Sequence, residues 1–270
     1  MKDYKGIFAG VENTLFEIGS RMVPREQISA ELEPYKHLGE KPLTDDDCYR
    51  KLVHIVFYSG FRAATVSAKL GVIDEHFPNY KRVADYDEDD IQRITNDPRM
   101  IKHEGKIRAC VQNAKAIRKL VSQHGSFHAF LKSLPPTRSD REILALRDKF
   151  RDLFDFLGNI TAFHFMTDIG LPVLKPDRVI QRIFKRLGLV DESQRDDALN
   201  VALIREGQKF ADATGHPIRY IDIVFVAYGQ VESKELGLDH GICLEINPSC
   251  DRCGAVNSCN YTRTLKVSAL

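Results

Sequence analysis

Four of the chain's six cysteines, Cys243, Cys250, Cys253 and Cys259, fall within one short segment, separated by six, two and five residues. Four thiolates this close on an irregular stretch can surround one metal centre, and Pro248 and Gly254 supply turns that let the backbone wrap. Free buried cysteines are the plain alternative, but they rarely crowd in this way. A structural zinc is the stronger rival; zinc modules usually pair two close doublets, whereas only Cys250 and Cys253 form one here. A second candidate for chemistry is Asp177, which follows Pro176 at the start of a helical pattern, where free N–H groups and the helix dipole favour an ionised carboxylate. It is either a simple helix cap or a group that stabilises charge in a reaction. Around it Lys175, Arg178, Arg182, Lys185 and Arg186 set five basic residues against one acid between 170 and 190. Such a run is a solvated face in most proteins, and a phosphate-binding surface when nucleic acid is the partner.

The chain that positions these groups has 270 residues, room for one large domain or two of ordinary size. Hydrophobic residues make up 43% and charged residues 29%, which excludes disorder, collagen and coiled coil. Lys plus Arg is 39 against 38 for Asp plus Glu, so any binding to DNA must come from a local patch. No stretch approaches the length of a membrane span, and Met1-Lys2-Asp3-Tyr4-Lys5 lacks the apolar run of a signal peptide. The expected location is the cytoplasm.

Periodicity after residue 44 is helical almost throughout, which predicts an all-α protein. Thr44 with Asp45, Asp46 and Asp47 starts one helix, and Asp87 to Asp90 start another that Asn96-Asp97-Pro98 stops. Lys106 to Val121 reads as a long amphipathic helix ending near Gly125, and the pattern resumes from Asp140 to Phe156 after Pro135-Pro136-Thr137. Short helices at 160–169 and 177–187 flank Gly170-Leu171-Pro172, and two more at 194–213 and 217–230 lead into the cysteine segment. Residues 1–43 contain Gly6, Gly10, Gly19, Pro24 and Pro34 and read as loops with one helix near 25–33. Cys48 and Cys110 lie on apolar helical faces and read as core.

The cysteine spacing resembles the cluster loop of the endonuclease III family of DNA glycosylases, whose [4Fe-4S] ligands are separated by six, two and five residues. Tyr220 to Gly229 is similar to the helix that precedes that loop. Leu157-Gly158-Asn159-Ile160-Thr161-Ala162 resembles the superfamily's helix-hairpin-helix turn, Leu-Pro-Gly-Val-Gly-x-x-Thr-Ala; Gly158, Thr161 and Ala162 match, and Phe156 stands where the first glycine is expected. Val173 to Arg182 is similar to the Val-Asp-x-His-Ile-x-Arg stretch, with Asp177 at the catalytic aspartate and Val179 where many members have histidine. The lysine with which strand-cleaving members attack the sugar is replaced by Ile160. Tyr49 to Arg118 resembles 3-methyladenine DNA glycosylase I, chiefly through Met100 to Ala109 and the following Asn113-Ala114. The glutamate of that family's base pocket falls at about Ile55, and its aromatic N-terminal motif is not found in residues 1–43.

These resemblances imply an all-α, two-lobed helix-hairpin-helix glycosylase fold. A six-helix barrel domain would span 44–170 and include the hairpin. A second helical lobe would combine 1–43 with 171–270 and carry the cluster loop at 243–259, with the active cleft between the lobes. The implied function is a monofunctional DNA glycosylase of base excision repair, without lyase activity, that hydrolyses the N-glycosidic bond of a flipped damaged base. The implied substrate is an alkylated purine such as 3-methyladenine in double-stranded DNA. Asp177 would be catalytic, and Cys243, Cys250, Cys253 and Cys259 would hold a [4Fe-4S] cluster. Gly158, Asn159, Thr161, Lys175, Arg178 and Arg182 would contact DNA. In Ser59-Gly60-Phe61-Arg62, Phe61 would fill the gap left by the extruded nucleotide and Arg62 would meet the opposite base or a phosphate. Phe57, Tyr58 and Phe165 are candidates for the base pocket. The expected protein is a monomer of the prokaryotic cytoplasm, associated with the nucleoid and not with membrane. Two alternatives stay open: a mismatch- or deamination-specific glycosylase acting on adenine, thymine or uracil, and a non-catalytic DNA-binding protein with a metal knot.

Overall fold

The computed structural model describes residues 2–137 and 139–263. In chain order its α-helices are α1 Tyr4–Gly19, α2 Arg25–Lys36, α3 Asp45–Tyr58, α4 Ala63–Ser67, α5 Leu70–His76, α6 Tyr80–Val83 and α7 Glu88–Asn96. They continue with α8 Glu104–His124, α9 Phe127–Lys132, α10 Asp140–Leu153, α11 Asn159–Asp168, α12 Arg178–Arg186, α13 Asp196–Thr214 and α14 Ile218–Gly229. No β-strand occurs among the described residues.

Local chemistry sets many of the boundaries. Thr44 and Asp47 form a reciprocal capping box at the start of α3, and Ser139 with Glu142 does the same for α10. Asp87 accepts from the amides of Asp89 and Asp90 to open α7, and Gly125 ends α8 in a conformation with φ of 86° that glycine adopts without strain. The helix α10 stops at Leu153, short of the expected Phe156, because the chain turns extended at Phe154 to enter the hairpin.

The described chain forms two compact units, one from Lys41–Ile169 and one from the described residues of Met1–Glu40 and Gly170–Leu270. In the first, α8 is the central helix and packs against α3, α6, α7 and α9. Tyr49, Leu52, Val56, Ile107, Cys110 and Ala114 are buried at that seam, and Phe127, Phe130, Phe150, Phe154 and Phe165 form an aromatic cluster of tilted and edge-on rings behind the hairpin. By area each buried phenyl contributes roughly 2–3 kcal/mol at most. Cys48 and Cys110 are core residues; burial pushes the Cys48 thiol up to about 12 and raises that of Cys110 as well.

In the second unit, α1 packs on α13 and α14, and α12 packs on α14. Its core includes Phe8, Phe184, Phe210 and Phe225, with the Phe210 and Phe225 rings 5.0 Å apart. Here the structure corrects the expected loops of residues 1–43, since Tyr4–Gly19 is a continuous helix with Ile7, Phe8, Val11 and Leu15 buried. The misleading residue is Gly10. A Cβ there would lie 2.4 Å from the carbonyl oxygen of Gly254, so this glycine marks a helix backbone pressed against another backbone.

Candidate active site

The hairpin is built from a turn with few side-chain choices. After α10 the Asp155 backbone is held by the buried Asn113 carboxamide, which accepts the Asp155 N–H at 2.7 Å and donates to its carbonyl at 3.1 Å. Phe156 then adopts φ of 64°, the left-handed region, at the position where a hairpin turn carries glycine. Leu157 is buried, Gly158 begins α11, and the Gly158 N–H donates to Thr161 Oγ1 at 2.7 Å. Gly158 brings no capping side chain, which leaves the first-turn amides of Asn159, Ile160 and Thr161 aimed out of the helix start. Gly158 and Asn159 are exposed, an arrangement able to hold an anion such as a phosphate.

Asp177 is the N-cap of α12. Its Oδ1 accepts from the amides of Val179 at 2.9 Å and Ile180 at 3.1 Å, while Oδ2 lies 3.4 Å from Lys175 Nζ. The carboxylate keeps 19% of its side chain exposed. The loop that delivers it is pinned from α14: buried Asp222 accepts the Lys175 backbone N–H at 3.0 Å on one oxygen and Arg219 Nη1 at 2.5 Å on the other. Burial pushes the Asp222 carboxyl up to about 6 against the pull of Arg219, and the nearby charge of Asp177 adds to the rise.

The basic residues of α12 separate into two roles. Arg178 is exposed at the first turn. Arg182, expected at DNA, is instead half-buried and donates to the carbonyls of Cys243 at 3.0 Å and Gly229 at 2.5 Å. Arg186 donates to Cys243 Sγ at 3.4 Å and to the carbonyl of Leu244 at 2.6 Å, and its guanidinium sits 4.4 Å from the Tyr261 ring centroid. Residues spaced by four share one helix face, and the packing of α12 directs the later two arginines onto the cysteine loop. That loop hangs from Tyr228, whose carbonyl accepts from the amides of Ile242 and Cys243, and from Thr14, whose Oγ1 accepts from the Gly254 amide at 2.9 Å. Burial raises the Cys250 thiol, and Cys253, Cys243 and Cys259 raise it further. No three His, Cys, Asp or Glu side chains among the described residues converge tightly enough to hold a single metal ion.

The segment Ser59-Gly60-Phe61-Arg62 joins α3 to α4, with Phe61 37% exposed and Arg62 exposed. Buried beneath it, the Lys106 ammonium donates to the carbonyl of Ser59 at 2.5 Å and to that of Val56. The base-pocket expectation needs correction. Phe57 and Phe165 are fully buried, Phe57 against Phe77 at 6.0 Å and Phe165 against Phe154 at 5.6 Å, so neither has a free face for a base. Tyr58 is half-buried with its hydroxyl 2.8 Å from Ser67 Oγ.

Asn113, Lys106 and Asp222 were not among the expected site residues. The first two stand in the segment that resembles 3-methyladenine DNA glycosylase I; Asp222 carries no signal in the sequence.

A family profile, methyladenine glycosylase, matches residues 36–175. The chain belongs to that family. As a methyladenine glycosylase family member it is a DNA N-glycosylase of base excision repair. The matched segment holds the hairpin, Asn113 and Lys106, and ends two residues before Asp177 and well before the cysteines. Among solved structures, a trapped endonuclease III–DNA covalent intermediate is 16% identical over 91% of this chain and 100% of its own, with a TM-score of 0.52. That likeness carries the all-α helix-hairpin-helix glycosylase fold. The 3-methyladenine DNA glycosylase I of Staphylococcus aureus, solved for its recognition of 3-methyladenine, is 24% identical over 52% of this chain and 82% of its own, with a TM-score of 0.42. The 8-oxoguanine DNA glycosylase of Thermotoga maritima is 17% identical over 82% and 96%, with a TM-score of 0.49. No curated protein sequence matches the chain. No described helix is long and apolar enough to cross a membrane.

Proposed function

We propose that this family member removes an alkylated purine such as 3-methyladenine from duplex DNA by hydrolysis, with Asp177 as the catalytic residue. The observation that carries the reading is the Asp177 carboxylate, with Oδ1 locked by two amides and Oδ2 beside the Lys175 ammonium at 3.4 Å, on a loop that Asp222 pins. As the C1′–N bond breaks, its electrons leave with the base and the sugar develops oxocarbenium character. A carboxylate beside it stabilises that charge, orients the attacking water and takes the proton the water loses as it bonds to C1′. An alkylated purine already carries positive charge and departs without a strong general acid, which suits a site whose acid–base group is one carboxylate.

The hairpin amides of Asn159, Ile160 and Thr161 would hold a phosphate, with Gly158 shaping the turn, and Arg62, Lys175 and Arg178 would contribute positive charge for binding DNA. Ile160 provides no amine at the position of the lyase lysine, so the product would be an intact abasic site.

The four cysteines fit a [4Fe-4S] cluster. Such a cubane takes each thiolate on a different iron, so the sulfurs need not crowd as they do around one zinc. The donor from Arg186 to Cys243 Sγ suits an anionic thiolate. When bound, the cluster would supply cross-linking rather than reaction chemistry, holding the C-terminal loop against α1 and α12. The protein would act as a monomer in the prokaryotic cytoplasm, at the nucleoid. The test is release of free base from alkylated, deaminated and oxidised duplexes. Release from methylated DNA is expected; release confined to mismatched or deaminated substrates would overturn the choice of base.

A further inference from the structure

Phe156 is disfavoured twice where it stands. Its backbone occupies the left-handed region at φ of 64°, which glycine would adopt freely, and its ring is 42% exposed. A residue that keeps both strain and an exposed apolar ring is a candidate for a contact made only with a partner. Its surroundings point the same way. His103, the N-cap of α8, meets the Phe156 ring edge-on at 5.7 Å and the Phe61 ring edge-on at 6.2 Å. The Lys106 ammonium lies 5.1 Å from the Phe156 ring centroid and 5.3 Å from that of Phe61. His103 Nδ1 accepts from the Lys106 amide at 3.2 Å, which ties the imidazole to the first turn of α8. Two exposed phenyl rings therefore flank one imidazole, over one buried cation, beginning two residues before the Gly158 cap.

We propose that Phe156 is a second DNA-stacking residue, acting with Phe61 to fill the base stack beside an extruded nucleotide while His103 and Lys106 hold the two rings in place. The occupant is the π-face of a nucleobase flanking the gap. Every base presents such a face, so the contact does not depend on sequence. A DNA N-glycosylase must stabilise a duplex with one nucleotide missing from the stack, and a single wedge leaves a flanking base unsupported. The inference rests on reading the hairpin as the element that grips the backbone next to the lesion.

The test is Phe156→Gly in the full-length protein. It is measured by thermal melting, by affinity for a duplex containing a stable abasic analogue, and by fluorescence of 2-aminopurine placed beside that site. Glycine takes the left-handed turn without strain, so melting should be unchanged or higher. Affinity for the abasic duplex should fall about tenfold, in the range of one lost base–aromatic stack, and the 2-aminopurine response should be lost. Phe156→Trp should retain both signals. Wild-type affinity and response in Phe156→Gly would overturn the proposal, as would a lower melting temperature, which would make the ring a structural one. Equal wild-type affinity for abasic and undamaged duplex would overturn it too. Because the abasic duplex has no base to release, failure of the wild type to excise alkylpurines would sink the proposed reaction and leave this result standing on its own.

Discussion

Asn113 holds the backbone of Asp155 from both sides, accepting its N–H and donating to its carbonyl, and thereby connects the middle of α8 to the hairpin turn. Asn113→Ala leaves both backbone groups without their partner, at a cost of about 1–3 kcal/mol. The expected outcome is a lower denaturation midpoint together with weaker binding to undamaged duplex, read by chemical denaturation and by fluorescence anisotropy. Normal affinity in a destabilised protein would show that the turn's geometry does not depend on this clamp.

Asp177 serves as cap and as candidate catalyst, and Asp177→Asn separates the two. Asparagine still accepts from Val179 and Ile180, so α12 should keep its start and the melting temperature should barely move. Base excision should fall roughly a hundredfold or more, with DNA binding retained. Borohydride should trap no covalent adduct with the wild type. Full excision by the variant, or a trapped adduct, contradicts the hydrolytic mechanism.

Asp222 should leave a mark on the pH dependence of stability. Its carboxyl is raised to about 6 by burial, with Asp177 adding to the rise and Arg219 and the Lys175 amide opposing it. A carboxyl whose folded value exceeds its unfolded value binds its proton more tightly in the native state. Its contribution is therefore fully present below the unfolded value of about 4 and is lost as pH rises through about 6. The stability of the wild type relative to Asp222→Asn should decline across that window. Parallel curves from the two proteins, by denaturation at a series of pH values, would refute the assignment.

Arg178 and Arg182 are one turn apart and should behave differently. Arg178→Ala should weaken damaged and undamaged duplex alike and make binding less sensitive to salt. Arg182→Ala removes donors to Cys243 and Gly229, so its effect should appear in stability and in the hold on the cysteine loop. A salt titration of both variants beside their melting curves distinguishes the roles.

The cysteine loop predicts a brown protein with about four iron atoms per chain. Cys250→Ser should lower that content. Metal analysis finding one zinc and no iron would replace the cluster with a structural zinc site.

Much of the site was legible because its signals are local. Thr44, Asp87 and Asp177 announce helix starts, since a cap needs only a side-chain oxygen and the next few amides. The cysteine spacing and the hairpin sequence are equally short-range, and Phe156 stood out there at a glycine position, although its left-handed backbone came only with the structure. What the tertiary structure decided concerns partners distant in sequence. Gly10 looked like a loop residue until Gly254 lay against it, and α1 with it became a helix of the core. Phe57 and Phe165 have the chemistry of a base pocket, but packing against Phe77 and Phe154 made them core. Asp222 sits among apolar residues with nothing nearby in sequence to mark it, and it matters because folding brings the Lys175 amide to its carboxylate. Arg178 and Arg182 are the same residue type on the same helix face. The sequence determined their charge and their spacing, while the fold chose which one stays exposed, because a guanidinium is directed by the acceptors its surroundings bring within reach, and those lie 47 and 61 residues further along the chain.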